Sequence, residues 1–229
     1  MIIPEHIAII LDGNGRWAAK HNVPRSRGHQ AGCETLEEIV GDCARLGIKY
    51  LTVYAFSTEN WKRSAEEVGA LMKLFRFYMV KLVEIANQNN VKVKMLGDVA
   101  AFDPDIQEGV RRLEDTTASN TGMTFSFAAN YGGRDDIRRA VQKMAAEGMD
   151  LTEISEKDIS DHLDTAGMPD PDLLIRTSGE LRISNFLNWQ IAYSEIYVTD
   201  TYWPDFHREE LEKAIEAYGK RERRFGGRK

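Results

Sequence analysis

The sequence predicts an α/β protein with a mostly parallel central sheet flanked by helices. Three observations lead there. Short runs rich in β-branched and aromatic residues alternate with longer helical patterns, the first run is continuously apolar, and polar turns follow several runs. Such alternation is typical of a parallel sheet covered on both faces. At 229 residues, one domain spanning residues 1–229 is the simplest organisation.

Six segments carry the strand signal. They are residues 6–11, 50–56, 91–96, 123–129, 172–176 and 191–198. The helical patterns lie at residues 29–46, 65–88, 104–118, 134–147, 155–163 and 207–222. An arginine-rich loop, not a full helix, separates the fifth strand from the sixth, so the alternation is weakest there.

Cys33 and Cys43 fall ten residues apart in the first predicted helix. That separation is about 15 Å along a helix, whereas the two Cα atoms of a disulfide lie within about 7 Å. We therefore expect two free thiols, no zinc site and a reducing, cytoplasmic setting.

The pattern over residues 65–88 predicts an unusually apolar helix. Between Leu71 and Ala86, twelve of sixteen residues are apolar, although a surface helix needs an apolar arc of only about 100°. Two interpretations stay open: the helix packs between the sheet and a second subunit, or it forms one wall of a channel for a long hydrocarbon. Ser64 and Glu67 have the spacing of a capping box that would begin it.

Composition excludes several classes of function. The net charge of −6 argues against nucleic-acid binding. No stretch approaches the roughly 18 apolar residues of a membrane span, and the first apolar run is too short for a signal peptide. Two basic segments, residues 16–29 and a tail at residues 220–229, stand out from an acidic remainder and indicate a small anionic ligand.

The most informative motif directly follows the first strand. It reads Asp12-Gly13-Asn14-Gly15-Arg16-Trp17. Ligands of open α/β sheets bind outside the carboxyl ends of the strands, glycines let backbone N–H groups approach a phosphate, and an aspartate can hold Mg²⁺ against that phosphate. The motif therefore indicates a diphosphate and metal site, with a solvated βα turn as the simpler alternative.

Further polar segments follow other predicted strands. They are residues 57–63, 130–135 and 176–185, and the first motif is extended by Arg25, Gly28 and His29. The planar guanidinium of arginine suits phosphate, and five arginines at predicted strand ends would serve two diphosphates. These are Arg16, Arg25, Arg63, Arg176 and Arg182. Glu195 lies inside the last apolar run, as either a structural acid or a second metal contact.

Several motifs are absent. The sequence contains neither a GxxxxGK[ST] loop nor a GxGxxG after a strand, which removes the main support for a nucleotide triphosphate or dinucleotide ligand. It also lacks the DDxxD motif through which the all-helical trans-type prenyl synthases bind Mg²⁺ and diphosphate.

Taken in order, the motif blocks resemble those of the cis-prenyltransferase family from about His6 to Gly227. Besides Asp12–Trp17, the blocks are Arg27-Gly28-His29, Tyr54–Arg63, Asn130–Arg134, Ile175–Glu180, Arg182–Leu187, Trp203–Phe206 and Arg224–Gly227. The resemblance implies a homodimer whose sheet and helices enclose a hydrophobic tunnel. It also implies Mg²⁺-dependent, repeated cis addition of isopentenyl diphosphate to an allylic primer such as farnesyl diphosphate, to give undecaprenyl diphosphate for cell-wall carrier lipid.

The resemblance also implies a role for each matching residue. Asp12 would be the essential metal-binding acid, with Glu195 completing the metal site from the same or the partner subunit, and Asn60 would assist catalysis with Arg63. The allylic diphosphate would be held by Gly13, Asn14, Gly15, Arg16, Arg25 and His29. Isopentenyl diphosphate would be held by Arg176, Arg182 and Ser184, and the substrate would be covered by Trp17, Trp61 and the neighbouring Ser57, Thr58 and Glu59.

Two positions depart from the family pattern. Ser64 stands where the family often has proline, and Asn188 replaces a commonly apolar residue. Tunnel residues that would set product length are Ala55, Leu74, Phe77, Met95, Phe125 and Phe127. A short- or medium-chain product and a non-catalytic partner subunit remain alternatives. The product is expected to leave through transient membrane contact.

Overall fold

The computed structural model describes residues 2–221. The Arg224–Gly227 block and most of the basic tail predicted at residues 220–229 lie outside the described residues. Six strands form one sheet: β1 (His6–Ile10), β2 (Tyr50–Ser57), β3 (Lys92–Leu96), β4 (Thr124–Tyr131), β5 (Leu173–Arg176) and β6 (Glu195–Val198). Their order is β3-β4-β2-β1-β5-β6, and every neighbouring pair is parallel.

Within the described residues, seven α-helices connect and cover these strands. They are α1 (Asn14–Lys20), α2 (Arg25–Leu46), α3 (Ala65–Gln88), α4 (Pro104–Thr117), α5 (Gly133–Ala146), α6 (Glu156–His162) and α7 (Arg208–Gly219). The predicted α/β class with a mostly parallel sheet is confirmed. Helix α1 was not predicted, and β6 is shorter than expected because residues 191–193 form a turn and pairing with β5 begins only at Glu195.

Strand β1 is buried along its whole length and alternates between two cores. Ile7 and Ile9 belong to the larger core, on the side of α2, α3, α4 and α7. Ala8 and Ile10 belong to a smaller core that includes Phe186 and Leu187. Because both faces are covered, Ile7–Ile10 are continuously apolar and not alternating, as expected for a parallel sheet, and His6, which begins the strand, is also buried.

The connection order reverses beside β1. The chain runs from β1 to β2 on one side, whereas β5 pairs with the other side of β1, with Ile10 opposite Arg176. This is a topological switch point, where the loops after the two strands diverge and leave a crevice. The crevice lies between the residues that follow Ile10 and those that follow Arg176.

Helix α3 begins where the sequence indicates, with the Ser64 hydroxyl accepting a hydrogen bond from the Glu67 N–H at 3.3 Å. One side of the helix contributes Met72, Met79 and Leu82 to the larger core. Among the helices of the described residues, none has the length and apolarity to cross a bilayer.

Candidate active site

Asp12 occupies the crevice at the end of β1. Thr177 holds its backbone: the Thr177 hydroxyl accepts from the Asp12 N–H at 3.0 Å and lies 2.7 Å from the Asp12 carbonyl oxygen. The carboxylate lies 2.9 Å from the Arg176 guanidinium and 3.1 Å from that of Arg16. Burial alone would raise the pKa of Asp12, but the two arginines outweigh it and lower that pKa below its ordinary value. Asp12 is therefore a fixed anion.

Arg176 is the buried cation of the pair, with a side chain only 5% exposed. Besides Asp12, its guanidinium donates to the Ser184 hydroxyl at 2.7 Å and to the Arg182 carbonyl oxygen. Ser184 has a positive φ of 50°, in a loop that curls back over the end of β5. Arg182 is more exposed and pairs with Glu180, which also pairs with Arg16 at 3.0 Å.

Two glycines bring the turn close to its neighbours. Gly13 has φ of 110°, a conformation that favours glycine, and places the chain directly before α1. A Cβ on Gly28 would lie 2.1 Å from the carbonyl oxygen of Asn14, so the absence of a side chain there lets α1 and α2 touch. The two helices begin beside the crevice, where their N–H groups favour an anion.

Cationic side chains from three elements surround a cavity of about 440 Å³. Its lining consists of Leu11, Asp12–Arg16, Ala18, Ala19, Val23, Arg25, His29 and Arg63. It is open enough for a solvent-borne ligand, and its walls combine backbone N–H groups, guanidinium groups and one acid. We call this cavity the anion pocket.

Glu67 contacts three groups of the anion pocket from α3. Its carboxylate lies 2.9 Å from Arg63, 3.3 Å from Arg25 and 3.9 Å from His29 Nε2. Burial, with the charges of Arg63 and Arg25, lowers the pKa of His29 to about 4, although Glu67 opposes the shift. His29 is thus neutral at pH 7, and Glu67 balances the two arginines.

The segment after β2 forms a 3₁₀ helix, Thr58–Lys62, capped at its start. The Asn60 side-chain oxygen accepts from the Ser57 N–H at 3.0 Å, and the Ser57 side chain accepts in return from the Asn60 backbone. Glu59 accepts from Thr58 at 3.2 Å and from Asn185 at 3.0 Å, which joins this segment to the loop after β5.

Trp61, in the same segment, is 40% exposed and donates its indole N–H to the side chain of Asn130 at 2.7 Å. Its ring packs edge-on against Phe56 with the centroids 5.0 Å apart. Trp17 lies elsewhere: it contacts His21 and donates to Asp205 at 2.7 Å, and it does not line the anion pocket.

A second, apolar cavity of about 110 Å³ adjoins the anion pocket. The two cavities share Leu11, Asn14 and His29. Helix α3 supplies one wall of the apolar cavity, as the channel interpretation of this helix expects. The α3 residues that line it are Leu71, Met72, Leu74, Phe75, Tyr78 and Leu82.

Some predicted tunnel residues lie elsewhere. Ala55, Leu74 and Phe127 line the apolar cavity, but Phe77 does not, because it is on the outer side of α3 and 63% exposed. Met95 and Phe125 are buried in the core and are also absent from the lining. The helical phase of α3 around Phe77 could not be fixed before its packing on the sheet was known.

Glu195 does not meet Asp12 within one chain. It begins β6 and pairs in register with Leu173, which pairs with Ile7 at the amino end of β1. Its carboxylate binds Arg221 at 2.6 Å. Because the strands are parallel, Glu195 lies at the opposite end of the sheet from the crevice. A metal contact by Glu195 of the same chain is therefore wrong, and one across a dimer stays a prediction.

The donor set at the crevice fits one particular kind of metal. Within residues 2–221, no three His, Cys, Asp or Glu side chains converge on a common point. Mg²⁺ is usually bound through one or two carboxylates, waters and substrate phosphates, not by an all-protein cage. The ionised, partly exposed Asp12 beside an anion pocket fits that pattern.

Sequence reasoning missed two residues of the site. Thr177 lay within a quoted motif but had no role, and it clamps the backbone of Asp12. Glu67 was interpreted only as a capping residue, whereas its carboxylate turns toward Arg25 and Arg63. An acid three residues after an N-cap gives no sign of such partners.

A fixed acid, a ring of arginines and an adjoining apolar cavity at a switch point define a binding site for an amphiphile with an anionic head and a hydrocarbon tail. Among known proteins, the model of the undecaprenyl diphosphate synthase family matches residues 10–226. The chain belongs to this family, the cis-prenyltransferases.

Relatives and a solved structure agree with this assignment. The isoprenyl transferase of Clostridium tetani is 51% identical over 98% of this chain and 90% of its own. That of Neisseria meningitidis serogroup B is 52% identical over the same shares. The crystal structure of lavandulyl diphosphate synthase from Lavandula x intermedia, in complex with dimethylallyl diphosphate, superposes with a TM-score of 0.94 at 36% identity, over 98% of both chains.

Proposed function

We propose that this isoprenyl transferase adds isopentenyl diphosphate repeatedly, in the cis configuration, to an allylic diphosphate such as farnesyl diphosphate. In each cycle the allylic C–O bond breaks and diphosphate leaves. A C–C bond forms to the terminal alkene carbon of isopentenyl diphosphate, and the resulting adduct then loses a proton. The observation that carries the proposal is that the anion pocket adjoins an apolar cavity, with Leu11, Asn14 and His29 in the lining of both.

The proposed allylic head group binds in the anion pocket. Support comes from Arg16, Arg25, His29 and Arg63 in its lining, together with the backbone of Gly13, Asn14 and Gly15. Arginines stabilise the negative charge that grows on a departing diphosphate, most strongly where water is excluded. The allylic tail extends into the apolar cavity between α3 and the sheet.

The proposed site for isopentenyl diphosphate lies on the other side of Asp12. This proposed site comprises Arg176, Arg182 and Ser184. Arg176 is already oriented by its hydrogen bond to Ser184. Two diphosphates on either side of one acid would bring the alkene beside the allylic carbon, which is a proximity effect. Asn60, within the 3₁₀ helix, and Arg63, directly after it, are proposed to orient the alkene and assist proton loss.

We propose that Asp12 holds Mg²⁺ on the diphosphate, and that the bound ion supplies Lewis-acid stabilisation of the leaving group. For this role, the chain keeps Asp12 ionised through Arg16 and Arg176.

Homodimer formation and membrane contact belong to the same proposal. Strand β6 is an edge of the sheet; Ile196 within it is 41% exposed, and Tyr193 just before it is 69% exposed. An apolar sheet edge is suited to a second copy of the chain. Release of a long hydrocarbon product would need a membrane or detergent to receive it, because water is a poor solvent for it.

A long-chain product, undecaprenyl diphosphate for the cell-wall carrier lipid, is the first candidate, given about 50% identity to bacterial isoprenyl transferases. A short-chain product is the second, favoured by the 110 Å³ apolar cavity. The test is incubation of pure protein with farnesyl diphosphate, labelled isopentenyl diphosphate and Mg²⁺, followed by sizing of the extracted lipid. No elongation in the presence of Mg²⁺ would overturn the proposal, and omission of Mg²⁺ tests the metal.

A further inference from the structure

The apolar cavity is bounded at its far end by charge. On α2 its lining runs from His29, which it shares with the anion pocket, through Cys33 and Leu36 to Glu37. Glu37 lies eight residues after His29, which is about 12 Å along the helix. Among residues 2–221, Glu37 is the only Asp, Glu, Lys or Arg in the lining of this cavity, and its carboxylate lies 2.6 Å from the Lys81 ammonium on α3.

Tyr78 on α3 lies beside this ion pair. It lines the apolar cavity, and the Lys81 ammonium stands 5.6 Å from the centre of its ring. The ion pair lies at the protein surface, because the side chain of Glu37 is 20% exposed and that of Lys81 is 41% exposed. Phe77, one turn before Lys81 on α3, is exposed and offers the next apolar contact outside.

The other walls of the apolar cavity, on the sheet side and on the side of α4, are held by more extensive contacts. The sheet side is made of β2 and β4, which are joined by parallel pairing. On the side of α4, Phe75 stacks on Phe127 with the ring centres 5.5 Å apart and packs against Phe102 at 5.6 Å. The α2–α3 seam at Glu37 and Lys81 is instead closed by one partly exposed ion pair, a weak contact.

The cavity is too small for the product as it stands. Its 110 Å³ is less than the roughly 150 Å³ of a cavity that binds one benzene. A growing tail must therefore part the walls, and the weakest wall is the α2–α3 seam. Passing it means moving hydrocarbon between two charges, which is unfavourable because the charges lose solvent and partner.

We propose that the Glu37–Lys81 ion pair is a gate at the far end of the cavity that limits how far the hydrocarbon extends, and so determines the length of the product. The inference rests on the proposed function. Glu37 and Lys81 touch neither diphosphate site, so they act on specificity and not on the chemical step.

The test replaces both charges by apolar side chains of similar length, Glu37→Met with Lys81→Met. The matched control replaces Arg76 and Asp105 by methionine in the same way. This pair joins α3 to α4, with Arg76 Nε 2.5 Å from Asp105 Oδ2, and neither residue lines the apolar cavity. With farnesyl diphosphate, isopentenyl diphosphate, Mg²⁺ and detergent, we expect the gate variant to lengthen the mean product by at least one five-carbon unit. The control should keep the wild-type distribution.

A binding assay makes the result independent of turnover. The neutral alcohols farnesol (15 carbons) and geranylgeraniol (20 carbons) are titrated into each protein. We expect less than threefold difference between them for the wild type and the control, and at least tenfold tighter binding of the longer alcohol by the gate variant, because the added carbons then reach apolar surface.

Identical product distributions and identical alcohol preferences in the gate variant and the wild type would overturn the inference. So would an equal shift in the control. If wild-type protein binds both alcohols but elongates nothing, the proposed function fails, and the alcohol preferences alone decide on the gate.

Discussion

The Asp12 carboxylate and the Arg176 guanidinium face each other at 2.9 Å across the switch point of the sheet. Asp12 follows β1 and Arg176 ends β5, so the pairing of these two strands brings the residues together. Each has a further partner: the Asp12 carboxylate also pairs with Arg16, and the Arg176 guanidinium also donates to Ser184. The contact therefore links the two proposed diphosphate sites through one acid.

The first prediction concerns Asp12→Asn. The amide keeps the shape of the carboxylate but carries no charge to hold a metal, so we expect turnover to fall by at least about 100-fold. Arg176 then lies buried without its charged partner, and we expect about 1–3 kcal/mol less stability. Incorporation of labelled isopentenyl diphosphate and urea unfolding measure the two effects.

The control for this prediction is Asp115→Asn, an exposed acid on α4, which should change neither quantity. An Asp12→Asn protein that elongates as fast as the wild type would refute the role of Asp12.

The second prediction concerns Glu67→Gln. The carboxylate draws Arg25 and Arg63 toward α3, so removing its charge raises the positive potential in the anion pocket. We expect inorganic diphosphate to bind about 3- to 10-fold more tightly, since the change is one charge at a partly exposed site. Isothermal titration calorimetry measures it.

Glu66→Gln is the matched control, because this exposed residue lies in the same first turn of α3 and loses the same charge. Weaker binding by Glu67→Gln would mean that Glu67 acts mainly to hold the arginines in place.

Much of the architecture follows from the sequence because it depends on local patterns. All six strands were predicted, since the segments that contain them are short and rich in apolar, β-branched or aromatic residues. Helix α1 was missed because it is only seven residues long and begins inside a glycine-rich motif. Its position depends on the close approach at Gly28, which no single-sequence pattern reveals.

The site was predictable for a related reason. The carboxyl ends of parallel strands share one edge, so Asp12 and Arg176 could be expected at the same edge of the sheet. Their direct contact depends on β5 lying beside β1, an order that the sequence does not predict. Glu67 and Glu195 could not be assigned in this way. Glu67 depends on how α3 packs on α2, and Glu195 depends on where β6 begins within an apolar run.

The third prediction concerns the pH dependence of stability. His6 is fully buried, and burial lowers its pKa to about 4, despite its contact with the Pro169 carbonyl oxygen and the charge of Asp172. Its Nδ1 lies 2.7 Å from the Pro169 oxygen and its Nε2 2.8 Å from the Thr52 hydroxyl. A neutral ring satisfies both by donating from Nδ1 and accepting at Nε2.

The sign follows from linkage. Below pH 6.5 the unfolded chain takes up a proton at His6, but the folded protein does not until about pH 4. Stability from His6 is thus complete above pH 6.5 and is lost as the pH falls to about 4, by about 3 kcal/mol. Urea unfolding between pH 7 and 4 should show a shallower decline for His6→Gln than for the wild type. Parallel curves would contradict the assignment.

The last prediction compares two glycines in helices. At Gly28, an added Cβ would lie 2.1 Å from the Asn14 carbonyl oxygen and 3.0 Å from the Ala18 side chain. Gly28→Ala must therefore push α1 away from α2, and we expect a loss of about 1–3 kcal/mol together with weaker diphosphate binding, because α1 carries Arg16. At Gly69, on α3, nothing lies within 4 Å of an added Cβ. Gly69→Ala should instead stabilise the protein by about 0.5–1 kcal/mol, since alanine favours the helix. Urea unfolding and titration with inorganic diphosphate compare the two variants, and equal effects would show that the close approach of α1 and α2 has no bearing on the anion pocket.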